Sequence, residues 1–172
     1  MRHFTSFLGL TTASLLLVVG CSQAPEPAGG DAAAAGGGMD DVESAEYLAV
    51  EYRQGLMHVL AFKADPVRNM ADGSIPVDEA LFLDYAEDLA AAAGMLVEGF
   101  IPGSSTTDIS VSGGLPDIWD NWDDFLEKAA ALEDATAEVA TLAAQGGFAA
   151  AQEAAGNLGA NCGGCHRPYR QR

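Results

Sequence analysis

Cys162-Gly163-Gly164-Cys165-His166 decides the reading of this 172-residue chain. Two thiols stand three positions apart with an imidazole directly after the second, the C-x-x-C-H spacing that attaches a c-type haem. The chemistry requires that order. Two sulfurs must reach the two vinyl groups on one porphyrin edge, and the adjoining imidazole must turn onto the iron. Gly163 and Gly164 place no bulk between the thiols, so the backbone can lie close to the macrocycle. Two other uses of paired cysteines fit less well. A thioredoxin-like pair belongs beside a βαβ pattern, and nothing here alternates strand with helix. A structural zinc site wants four Cys or His ligands. The chain has three of each, and Cys21, His3 and His58 lie far from the motif.

Toward the N-terminus, Met1-Arg2-His3 precedes an apolar run from Phe7 to Val19. A short basic region followed by such a core reads as a signal peptide, too short for a comfortable membrane span. Val18-Val19-Gly20-Cys21 resembles a bacterial lipobox, in which Cys21 becomes the lipidated first residue of the mature chain. An ordinary cleaved export signal is the alternative. Either way the mature protein is expected outside the cytoplasm, in the periplasm of a Gram-negative bacterium, and not as an integral membrane protein; under the lipobox reading it touches a membrane only through the lipid on Cys21. The cysteines are then all used: Cys21 for lipid, Cys162 and Cys165 for haem, none for a disulfide. Residues 22 to about 40 are rich in Ala, Gly and Pro and lack periodicity, as a flexible tether does. The expected organisation is a leader over 1–20, a tether over 21–40 and one domain over 41–172.

A formal charge of −17 excludes nucleic acid as a partner. It would suit basic partners, although plain solubility explains it equally well.

Helical periodicity organises the rest. A first helix is expected over about 41–63, with Leu48, Tyr52, Leu56, Val59 and Leu60 at helical spacing and Pro66 or Gly73 to end or bend it. Arg53 and Met57, four apart, share one face of it. A second helix starts near Pro76, buries Leu81, Tyr85, Leu89, Ala92 and Leu96, and stops by Gly99 and Pro102. Gly103 to Gly114 reads as a long polar loop. A third helix opens after Pro116 and carries Trp119, Trp122, Phe125, Leu126, Leu132 and Val139. Gly146-Gly147 breaks the chain before a fourth, whose stripe of Phe148, Ala151, Ala155, Leu158 and Cys162 delivers the haem motif. The fold class is all-α: an antiparallel four-helix bundle without strands, with covalent haem near the C-terminus.

Only Arg167 to Arg172 follow His166, and none is a methionine able to reach the iron from the other side. That side must be closed from elsewhere in the bundle or left open. Tyr52-Arg53-Gln54 with Met57, Pro116-Asp117-Ile118-Trp119, and the terminal motif with Tyr169-Arg170 together make the chain, from about Asp41 to Arg172, resemble the class II c-type cytochromes of the cytochrome c' family. The resemblance implies one covalent haem c inside the bundle, with His166 as axial iron ligand and Arg53 and Gln54 approaching a propionate. An arginine suits that anion independently, through charge-assisted hydrogen bonds. It implies that Arg170 lies near the proximal haem face, although Pro168 should kink or fray the last turn. Phe100 is either a pocket wall or ordinary core. His58, rotated about 100° from Met57, reads as a surface residue. Trp119 and Trp122 read as packing.

Met57 takes the family's distal position and separates two functions. As a non-bonding wall it leaves five-coordinate iron open to NO or CO, the reading favoured by the Arg53-Gln54 pair and the tryptophan motif. As a sixth ligand it makes a low-spin electron carrier. Both leave room for redox partner proteins and for a homodimer through the first two helices, with Ala49, Val50 and the second helix as candidate surfaces. Peroxidase chemistry needs a distal acid–base pair, which Met57 does not supply, so the chain is not expected to be an enzyme. A di-iron bundle would need a Glu-x-x-His pair that the sequence lacks.

Overall fold

Ser44 starts the first helix: its Oγ accepts the Tyr47 amide at 3.1 Å and so satisfies a donor that the helix cannot. The computed structural model describes residues 41–172, and the leader, the tether and lipidation of Cys21 fall outside the described residues. Helix α1 runs Ala45–Ala71, α2 Glu79–Ala93, a 3₁₀ turn Leu96–Gly99, α3 Asp117–Asp120, α4 Trp122–Ala144, α5 Phe148–Gly156 and α6 Leu158–Tyr169. Asp78 caps α2 by accepting the Leu81 amide at 3.0 Å. Gly73 and Gly146, both at positive φ, stand two residues past the ends of α1 and α4. That left-handed stop is one few side-chain-bearing residues adopt.

Helices α1, α2, α4 and the α5–α6 pair make the antiparallel four-helix bundle. Helix α2 packs on α1 and α4, and α4 packs on α5 and α6. Among the described residues the backbone forms no strand, only one antiparallel bridge between Gly114 and Arg170. Phe82, Phe125, Met70, Ile118, Leu158, Val50, Val67 and Val139 are fully buried in the core. Phe125 is its aromatic centre, stacked on Trp122 at 5.3 Å and touching Phe100 at 4.7 Å and Tyr169 at 5.7 Å. No helix among the described residues is long and apolar enough to cross a membrane.

Several boundaries and faces differ from the sequence expectation. Helix α1 continues through Pro66 to Ala71, because the ring costs one intrahelical bond while Val67 and Met70 beyond it are buried. Its core face is Val50, Arg53, Leu56, Leu60 and Ala64, whereas Leu48, Tyr52 and Val59 are exposed. On α2 the buried face is Phe82, Ala86, Leu89 and Ala92, and Leu81 is exposed, as is Leu126 on α4. The third helix breaks at Asn121, which leaves α3 a single turn, and the fourth breaks at Asn157.

Candidate functional site

Helix α6 places Cys162 and Cys165 three residues apart, which puts both thiols on one side of the helix. They face a cavity of about 760 Å³ enclosed by α1, α4, α6 and the loop before α3. Both are free thiols, half-buried, and burial raises the pKa of each. His166 follows on the same wall. Burial first, and the positive charge of Arg170 second, lower its pKa and favour the neutral imidazole, the form with a lone pair for a metal.

The cavity collects the other predicted haem-site residues: Arg53, Gln54, Met57 and Arg170 all line it. Met57 comes from α1, with Leu60, Ala64, Leu96 and Phe100 as apolar neighbours on the wall. Phe100 is both pocket wall and core, since it also packs on Phe125. His58 reaches the cavity rim but is solvent-exposed, as expected. Trp119 and Trp122 do not line it, and the buried Trp119 Nε1 makes no hydrogen bond.

Arg53 is the most constrained polar group in the site. It is only 4% exposed. Its Nη1 donates to the Gly99 carbonyl at 3.1 Å and to Ser104 Oγ at 2.7 Å. Its Nη2 donates to the Ser104 carbonyl and to Ser112 Oγ, the latter at 2.7 Å. Its guanidinium also lies 5.0 Å from the Phe100 ring centroid. Burial lowers its pKa to about 10, so it remains a cation at neutral pH. None of its hydrogen-bond partners is a carboxylate, and it makes no ion pair among the described residues. A buried charge without a counter-charge is costly. Gln54 works beside it, donating from Nε2 to the Val111 carbonyl at 2.6 Å.

At the other end, Arg170 leaves the helix in an extended conformation one residue after Tyr169. The helix runs through Pro168 to Tyr169, and Arg170 still lines the cavity wall. The tail is pinned: Leu115 N donates to the Tyr169 carbonyl and Gln171 N to the Gly113 carbonyl, each at 2.9 Å.

The sequence reading missed the loop. Ser104 and Ser112 are buried and anchor Arg53, and Gly99 lies so close that a Cβ there would sit 2.7 Å from Arg53 Cβ. Only the glycine carried a signal in the sequence, and it read as a helix stop. The set fits haem c: two free thiols and an imidazole on one wall, apolar faces, and a buried cation lacking an anion at the far end. The volume lies in the usual range for a cofactor pocket, roughly 300–1,000 Å³.

Known proteins place this architecture. The family model described as Cytochrome C' matches residues 48–170. Cytochrome c-554 of Cereibacter sphaeroides is 37% identical over 124 residues, covering 72% of this chain and 92% of that one. Cytochrome c' of Halomonas halodenitrificans is 33% identical over 125 residues, covering 71% and 95%. A solved nitric oxide complex of a cytochrome c prime variant from Alcaligenes xylosoxidans aligns with a TM-score of 0.66 at 26% identity, covering 74% of this chain and 97% of that one. A family match that spans the whole bundle, with relatives this similar over nearly their full length, shows that the chain belongs to the cytochrome c' family and that its cofactor is one covalent haem c.

Proposed function

We propose that the protein is an exported haem c protein whose iron, held by His166 alone, binds NO and CO, and which also exchanges single electrons. The observation that carries this is the wall opposite α6. Met57 stands there among Leu60, Ala64, Leu96 and Phe100, a setting that suits small neutral ligands, and the neighbouring imidazole, His58, is solvent-exposed at the rim rather than set among them as an acid–base group. The Alcaligenes relative solved with nitric oxide supports the same reading. Haem, when bound, supplies an iron centre able to take up a diatomic ligand and to change oxidation state by one electron. The chain's own residues do the rest. Cys162 and Cys165 hold the porphyrin edge, His166 presents its imidazole, and Arg53 with Gln54 receives a propionate. Met57 crowds the distal position, and Arg170 lies on the proximal side. The protein acts as a ligand carrier and electron carrier, not as an enzyme.

A second reading rests on Met57 itself, the one thioether among the described residues that line the cavity. As a sixth ligand it would make low-spin iron and a dedicated electron carrier. Absorption and EPR spectra of the purified holoprotein, with and without CO or NO, separate the two. A high-spin spectrum that shifts on gas addition supports the first reading. A low-spin spectrum indifferent to CO supports the second.

A lipid on Cys21 tethers the domain in the periplasm of a Gram-negative bacterium, and two copies associate through the first helices. Val50 cannot serve in that contact, because it is fully buried. The exposed α1 residues Leu48, Tyr52, Val59 and Phe62 take its place.

A further inference from the structure

The charge of this protein is distributed very unevenly. Of its 25 acidic residues only Glu26, Asp31 and Asp40 precede the described part, and of its eight basic residues only Arg2 does. Yet five of the remaining basic side chains line the cavity, against a single carboxylate side chain, that of Asp65. Random placement of the 22 acidic and seven basic residues of the described part (25 − 3 and 8 − 1) would instead favour carboxylates about threefold.

Three of these cavity cations, Arg68 of α1, Lys128 of α4 and Arg170 at the end of α6, lie beside the haem-motif segment of α6, and Arg167, which does not line the cavity, adds a fourth cation from α6 itself. The Arg68 guanidinium lies 3.7 Å from where a Cβ on Gly159 would be, and that of Arg167 lies 3.5 Å from the same position on Gly163. The charge of Arg68 is felt at Cys162, that of Lys128 at Cys165 and that of Arg170 at His166. Arg68, Arg167 and Arg170 are exposed, and Lys128 is partly so. Arg68 has Asp65 at 3.6 Å, and Lys128 has Asp124 at 2.6 Å. Arg167 and Arg170 form no ion pair among the described residues. The backbone that carries Arg170 is pinned to the loop at Gly113 and Gly114, so its position is set.

We propose that Arg68, Lys128, Arg167 and Arg170 form a positive collar around the haem-bearing segment of α6, and that this collar docks an acidic electron-exchange protein. The inference rests on the haem reading above. It runs against the overall charge of −17, which taken alone would select a basic partner. The two charges act over different ranges. At about 0.1 M salt the Debye length is about 10 Å, so the body of the protein is largely screened while the collar still governs approach to α6. Complementary charge at such a rim sets partner choice and on-rate more than final affinity.

The test uses the full-length reduced holoprotein and hexacyanoferrate(III). One electron passes from ferrous iron to the reagent, giving ferric iron and hexacyanoferrate(II). If the collar governs approach, the second-order rate falls by about threefold or more as salt rises from about 0.1 to about 1 M and the Debye length shrinks to about 3 Å. Poly-L-glutamate, the acidic polypeptide probe, competes with the reagent at the lower salt. The Arg68→Glu/Arg167→Glu protein, with its haem spectrum intact, loses both effects, and the Arg68→Lys/Arg167→Lys protein keeps them. A haem-loaded protein whose rate climbs with salt, or which ignores poly-L-glutamate, overturns the collar alone. A protein that matures without covalent haem overturns the reading beneath it.

Discussion

Arg53 holds Ser104 by both its side chain and its backbone: Nη1 donates to the hydroxyl at 2.7 Å and Nη2 to the carbonyl. With Gly99 and Ser112 also bound, one α1 cation fixes the entire crossing between the second and third long helices. The loop in turn pairs with the tail beyond His166, so α1 and the end of α6 share one clamp. Replacing Arg53 with Met takes this donor from the Gly99 carbonyl, while the Ser104 carbonyl keeps Ser112 Oγ at 2.9 Å. At about 1–3 kcal/mol for a buried group left unmade, the expected loss is about 1–3 kcal/mol in urea unfolding of the holoprotein. Arg53→Lys keeps the charge but lacks the planar fork, and should fall between Met and wild type. A loss below about 0.5 kcal/mol for the Met variant, no more than an ordinary surface substitution, would remove the clamp from the argument.

Two glycines on neighbouring elements should respond to alanine with opposite sign. A Cβ on Gly99 would meet Arg53 Cβ at 2.7 Å and Tyr52 Cδ1 at 2.8 Å. The Arg53 atom is next to the backbone and cannot swing away. Gly99→Ala should therefore cost about 1–3 kcal/mol, the usual range for overpacking. A Cβ on Gly55, inside α1, meets nothing within 4 Å. There the helix preference acts alone, and Gly55→Ala should stabilise by about 0.5–1 kcal/mol. Thermal unfolding of the two variants beside wild type checks both signs.

Much of this was readable from sequence, and the failures have physical causes. The Cys162–His166 motif named the cofactor, because its chemistry fixes residue type and spacing together. The spacing of Arg53 and Met57 put both on the cavity wall, and the family resemblance added Gln54, which lines it too. The face of α1 was misjudged because that helix carries two apolar stripes. Val50, Leu56, Leu60 and Val67 point inward, while Leu48, Tyr52, Val59 and Phe62 point outward. Periodicity detects both and ranks neither, and an arginine in the inner stripe makes it look like the wet side. The loop was illegible for a different reason. Ser104 and Ser112 are buried only because Arg53 reaches them from more than fifty residues away, and nothing local signals that.

Tyr169 and Asp124 give the site a defined pH response. The Tyr169 hydroxyl donates to Asp124, which also receives Lys128. Burial, then the bond to Asp124, push the phenol up to about 12. Bonds from Lys128 and then Tyr169 hold the Asp124 carboxyl below its usual value. The raised phenol contributes stability that is complete below its ordinary pKa of 10 and is lost as pH climbs toward 12. The lowered carboxyl contributes stability above its ordinary pKa that is lost as pH falls through the folded value. An ultraviolet titration should show one tyrosine ionising near 12, absent from Tyr169→Phe. Ionisation of all tyrosines near 10 in the folded holoprotein would contradict the Tyr169–Asp124 contact.

Met57 can be questioned without changing the volume of the cavity much. Leucine is close to isosteric with methionine, so Met57→Leu should cost less than about 1.5 kcal/mol in stability. If the side chain is only a wall, the EPR spectrum stays high-spin and CO binding persists within a few-fold. If the sulfur binds iron, the same substitution converts a low-spin spectrum to high-spin and creates CO binding where there was none.

The outer stripe of α1 calls for an explanation of its own. Leu48, Tyr52, Gly55, Val59 and Phe62 recur at alternating steps of four and three, the spacing of a two-helix seam. Phe62 is 65% exposed and meets Tyr85 of α2 edge-on at 6.3 Å, which extends the apolar surface onto a second helix. An acidic protein that keeps such a strip apolar leaves a surface suited to a second copy of itself, since each copy brings the same strip to the seam. Phe62→Glu places a charge at that seam without touching the haem cavity. The expected result in sedimentation equilibrium is a dimer weakened by roughly tenfold or more, the cost of losing one central apolar anchor. Gly55→Ala should weaken it too where backbones meet closely, while still stabilising the monomer. Wild-type protein that stays monomeric at the highest workable concentration would assign the strip to some other contact and remove the homodimer from the proposed function.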